Sequence, residues 1–159
     1  MPDPLQALRE MKRVVKQGGV VAVLENDTLH QLLLPWSFED EVAIRQAQWK
    51  ASQKEHGSDR DRLYIGRQLS RLFADAAIRP QRRRTYASHR EFPIGPKEKR
   101  FLDAYFIDLR DRASPFLLKR DKARLRNILT PGSSTYLADA PHFSVTCLDH
   151  VLWGKKASA

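Results

Sequence analysis

The sequence predicts an α/β chain in which helices pack on a sheet. Three observations predict it. Val20 to Glu25 (VVAVLE) is a short, continuously apolar and β-branched run, as a buried strand reads. Leu69, Leu72, Phe73, Ala76 and Ala77 recur at the i, i+3, i+4, i+7, i+8 spacing of an amphipathic helix. Phe143 to Gly154 (FSVTCLDHVLWG) reads as a long closing strand.

Each element has its own local reason. Asp3 before Pro4 is an N-cap followed by the residue suited to the first helical position. Leu5, Leu8, Met11 and Val15 then share one helix face, and Gln17-Gly18-Gly19 ends the helix. Val20 to Glu25 is expected to be buried on both faces, as in a parallel sheet, with Asn26-Asp27 closing it. The next stretch, His30 to Glu55, begins apolar (LLLPW) and becomes a polar helix carrying Ile44 and Trp49, ending in the loop HGSDRD. The helix around Leu69 to Ala77 follows. After Ile78-Arg79-Pro80, the segment QRRRTYAS, residues 81–88, reads as an edge strand, where arginine charge discourages unwanted pairing. Phe92 to Pro96 is a turn-rich link. Lys97 to Arg112 is a helix with Leu102, Tyr105, Phe106 and Leu109 on one side, and a shorter helix from Lys119 to Leu129 stops at Thr130-Pro131-Gly132. Strands are expected at about 20–25, 81–88 and 143–154, few for the number of helices.

Composition bounds the partners. A chain of 159 residues, 42% hydrophobic and 30% charged, is globular and long enough for a real core. Its net charge of +9 admits nucleic acid, anionic lipid or an acidic ligand, with the densest basic cluster at Arg79 to Arg84. One cysteine, Cys147, excludes an internal disulfide framework and fits a cytoplasmic protein. The longest apolar runs, Val20 to Leu24 and Leu32 to Trp36, are too short to span a bilayer, and the first residues lack the apolar core of a signal peptide.

LREMKRVVKQGGVVAVLE resembles the segment of class I S-adenosylmethionine-dependent methyltransferases that runs from their fourth strand into the fifth. Leu8, Glu10, Arg13, Val14, Lys16, Gly18, Gly19, Val20 to Leu24 and Glu25 match that pattern, and Gln17 stands where the family has proline. YIGRQLSRLFADAAI (Tyr64 to Ile78) resembles the family's next sheet-packing helix, and HVLWGKK (His150 to Lys156) its closing strand. The resemblance implies the C-terminal half of a Rossmann-like methyltransferase sheet. In that sheet the fifth strand lies between the fourth and the seventh, and the seventh lies between the fifth and the sixth. Residues 1–159 are then a single partial domain, with 92–141 a helical insert that caps the substrate. The family binds S-adenosyl-L-methionine at an acidic-Gly-x-Gly-x-Gly loop on the first strands. The seven glycines here form no G-x-G, so no cofactor binding is expected of this chain alone.

The same resemblance makes Asp27, His30, Trp36, Arg67 and Tyr105 the substrate-binding candidates for a small-molecule methyl acceptor. Asp27 or His30 would suit a base, but no catalytic residue is assigned. All but Trp36 have a plainer reading: Asn26 and Asp27 as turn formers, His30 as a loop histidine, Gly66 before Arg67 as a close-packing glycine, and Tyr105 as core. His150 reads as a satisfied structural histidine and Cys147 as a small core residue. With no second cysteine or spaced histidine pair, no metal site is expected. The competing function is a non-catalytic basic module that binds RNA or a protein, although nucleic acid is the less favoured partner because a solvated edge explains Arg82 to Arg84. The unpaired edge of Val20 to Leu24 leads to the expectation of a homodimer.

Overall fold

The computed structural model describes residues 3–27, 31–57 and 65–156. The element order is α1 (Pro4–Val14), β1 (Val20–Asn26), β2 (Leu32–Leu34), α2 (Phe38–His56), α3 (Ile65–Asp75), β3 (Ile78–Glu91), α4 (Pro96–Ala113), α5 (Lys119–Ile128) and β4 (Ser144–Lys156). Among the described residues there are also two short 3-10 turns, Ser114–Phe116 and Leu137–Asp139. The class is α/β, with four strands in the order β1–β4–β2 and β3 also paired to β4. The chain divides into two compact units: residues 1–30, 64–88 and 147–159 form the first, and residues 31–63 and 89–146 the second.

In the first unit, Asp3 caps α1 by accepting a bond from the Gln6 amide at 2.9 Å, and Pro4 opens the helix, as the sequence leads one to expect. Gly18, at φ 70, makes the turn into β1. β1 pairs antiparallel with β4, from Val20 opposite Lys155 to Asn26 opposite Asp149. The expectation of a strand buried on both faces of a parallel sheet is therefore corrected. Val21 is buried, while Val20 and Leu24 are 50% and 67% exposed. An apolar run indicates a strand but not the direction of its neighbour or the number of covering layers.

One face of this sheet carries the core. Leu8 of α1, Leu69, Leu72 and Phe73 of α3, and Ala76 and Ile78 close over Val21 and Leu152, with Leu5, Val15, Val23 and Ile65 at the margin. α1 and α3 pack on each other and both pack on β1. They therefore share one face, while the alternate residues Val20, Ala22 and Leu24 point to the other.

In the second unit, β2 lies antiparallel to the start of β4, with Leu33 opposite Val145. Ser37 caps α2 by accepting from the Asp40 amide at 3.1 Å, and Gly57 at φ 59 ends it. α2 buries Ile44, Ala47 and Ala51, and it packs on α4 and α5. Phe106 of α4 meets the edges of Tyr136 and Phe143 at ring separations of 5.9 and 6.3 Å, the tilted geometry that aromatic rings prefer. The Tyr136 hydroxyl donates to Asp103 at 2.6 Å, so this buried phenol is satisfied. Residues 92–141 fall in this unit together with β2 and α2.

Candidate functional site

Within the first unit, the carboxyl end of β1 gathers a polar cluster. Asp27 follows the strand directly and is 5% exposed. Its amide donates to the Leu148 carbonyl at 2.9 Å, which extends the ladder by one residue. The Arg67 Nε donates to Asp27 Oδ2 at 3.0 Å, and the Arg67 side chain remains 43% exposed. The first turn of α3 thus presents a guanidinium to solvent while a buried carboxylate fixes its orientation.

His150 lies behind this pair. Its Nε2 is 3.9 Å from Asp27 Oδ2, and its Nδ1 is 3.0 Å from the Thr85 hydroxyl. Burial holds the imidazole below its ordinary 6.5, with the positive charge of Arg83 adding to the effect and Asp27 opposing it. Its burial and the bond between Nδ1 and Thr85 fit the plain reading of His150 as a structural group. Glu25 sits opposite His150 in the strand register, and burial pushes its carboxyl above the usual value. Gly66 explains how these groups come together. A Cβ there would stand 3.1 Å from His150 Cδ2 and 3.3 Å from Glu25 Cγ, so glycine lets the start of α3 approach the sheet. The close-packing reading of this glycine fits that geometry.

On the other face, Asp149 accepts from Asn26 Nδ2 at 3.0 Å and from the Ser88 hydroxyl at 2.8 Å. Those two bonds hold its carboxyl below the usual range. Burial pushes the Cys147 thiol up, so it is a poor nucleophile. Among the described residues, no group of three or more His, Cys, Asp or Glu side chains is placed to hold a metal ion. No described helix is long and apolar enough to cross a membrane.

Of the five sequence candidates, the first unit brings Asp27 and Arg67 into contact. Trp36 and Tyr105 both line a cleft in the second unit, with Gln31, Leu33, Ile44, Arg45, Gln48 and Leu109. Its enclosed space is about 10 Å³, the room of a single water. The Trp36 indole Nε1 is buried there without a hydrogen-bond partner, and a water is what the space would hold. Arg45 closes one side, donating to the Gln31 carbonyl at 2.6 Å and pairing with Glu41 at 3.1 Å. His30 lies outside the described residues. Thr85 was missed, because QRRRTYAS draws attention only to its charge. The sole signal for it was the alternation that puts Thr85 and Arg83 on one face. The four arginines Arg79, Arg82, Arg83 and Arg84 are all exposed along β3. In comparisons with known proteins, no family model matches this chain and no curated protein matches it.

Proposed function

We propose that this chain is the C-terminal part of a cytoplasmic S-adenosylmethionine-dependent methyltransferase that acts on a small molecule. The observation that carries the reading is the place of the last strand. β1 occupies one edge of β4, with Glu25 opposite His150, and a strand has only two edges. Thr85 of β3 reaches the same His150, so β3 takes the other edge. The order β1–β4–β3 supports the reading, because the resemblance sets the seventh strand between the fifth and the sixth. Two helices on one face of β1 fit the same scheme.

In this reading Arg67, oriented by Asp27, binds an anionic or carbonyl group of the acceptor. Methyl transfer from a sulfonium is an in-line displacement, so the protein supplies alignment more than acid or base chemistry. The test is to recover the tagged chain from its own cells with whatever is bound to it and add methyl-labelled S-adenosylmethionine. Label in a small-molecule acceptor is expected. A recovered assembly that neither binds the cofactor nor transfers label would overturn the proposal.

The alternative of a non-catalytic basic module rests on the exposed arginines of β3. It predicts binding to RNA that weakens steeply with salt and needs no cofactor.

A further inference from the structure

We infer that two copies of this chain join their β1 strands about a two-fold axis through Ala22, making one sheet that runs across the dimer. The inference concerns this chain by itself and does not follow from the methyl-transfer reading, in which a fourth strand would take the same edge. It rests on the outer edge of β1, which pairs with no strand among the described residues. Backbone groups alternate along an antiparallel strand. Gly19 O accepts from the Lys156 amide and the Asp27 amide donates to Leu148 O, so odd-numbered positions bond β4. Val20, Ala22 and Leu24 therefore aim their amides and carbonyls outward. Soluble proteins guard such an edge with lysine, proline or a bulge. Between Val20 and Leu24 there is no charge and no proline.

The strand is its own best complement. Outward groups on even residues require even residues to face even residues. An axis through Ala22 places Val20 of one copy opposite Leu24 of the other, Val21 opposite Val23, and Ala22 opposite Ala22. Every pair inside the joint is then apolar. The side chains of Val20 and Leu24, 50% and 67% exposed in the single chain, cover one another. The strand ends also agree in charge. Glu25 faces Gly19 of the second copy, three residues from the exposed Lys16, and the antiparallel arrangement repeats this contact at the other end. Isologous joints of this kind close on themselves and do not propagate.

Light scattering on the full chain at micromolar concentration tests the inference, and twice the chain mass is expected. Ala22→Pro removes one outward amide per copy and leaves the bonds to β4 untouched. It should weaken dimerisation about thirtyfold or more, since two ladder bonds are lost. Leu24→Lys, which changes only an exposed side chain, should do the same without loss of helical signal. In a Cys147→Ser background, Ala22→Cys should oxidise to a covalent dimer. A monomer, an open-ended polymer, or a dimer that survives both Ala22→Pro and Leu24→Lys would overturn the inference. So would the appearance of a dimer only when a different protein is present.

Discussion

Ala77 shows how a single residue exposes the chain's compromises. It takes φ 53, the left-handed region, just after α3, and its amide still donates to the Ala74 carbonyl at 2.9 Å. An L-residue pays about 1–2 kcal/mol there, whereas glycine is free to adopt it. Glycine also loses more entropy on folding, which returns roughly 0.5–1 kcal/mol. Because Ala77 is exposed, its methyl contributes no burial. Ala77→Gly should therefore raise the melting temperature, by about 1–3 °C for a chain of this size, in a calorimetric scan. His150 makes the second prediction at this scale. Its folded pKa lies below its ordinary 6.5, so the unfolded chain takes up a proton that the folded chain refuses. Its contribution to stability is complete above pH 6.5 and declines as the pH falls below it. Asp149 acts elsewhere: its lowered pKa gives stability that is present above 3.8 and is lost only in stronger acid. Glu25, raised by burial, works in the opposite sense to Asp149. Thermal melts from pH 7.5 to pH 5.5 should show a smaller drop for His150→Gln than for the parent. Equal slopes would mean that Thr85 and Asp27 stabilise the imidazolium after all.

At the level of elements, β3 yields the clearest test. Its arginines are exposed on an edge strand, and surface changes of that kind typically cost under ~0.5 kcal/mol. An Arg83→Thr, Arg84→Thr variant should melt within a degree or two of the parent; a loss of many degrees would place the strand in the interior. The elements differ in how legible they were. α3 and α4 were readable because each buries one periodic face, α1 because the caps at Asp3 and Gly18 were explicit, and α5 by its stop at Thr130-Pro131-Gly132. α2 was blurred, since Phe38, Val42 and Trp49 stay exposed while Ile44, Ala47 and Ala51 are buried. β2 was missed because three leucine residues become a strand only through the start of β4, more than a hundred residues away. β3 is longer than the 81–88 expected, because its polar ends show no alternation to read. For the candidate site, Asp27 and Arg67 were found from the resemblance alone. Their link to His150 and Thr85 depended on strand register, which sequence patterns do not specify unless a buried face fixes it.

For the whole molecule, the question is whether this chain can hold the cofactor by itself. Cofactor pyrophosphates and carboxylates bind where a glycine turn lets backbone amides approach and a helix N-terminus adds its dipole. This chain has seven glycines, and none lies two residues from another. Gly18 and Gly19 serve the turn into β1, Gly66 serves close packing, and Gly57 and Gly132 adopt positive φ in turns. None of these five is free for a cradle, and the cluster around Asp27 is occupied by Arg67 and backed by His150 rather than open to a ribose. Calorimetry with S-adenosylmethionine on the purified chain should therefore show no binding in the low micromolar range. The control is the assembly recovered from native cells, which should bind. Tight binding by the chain alone would mean that residues 1–159 hold a cofactor site unlike the family's, and the reading of β1 as a fifth strand would fall with it.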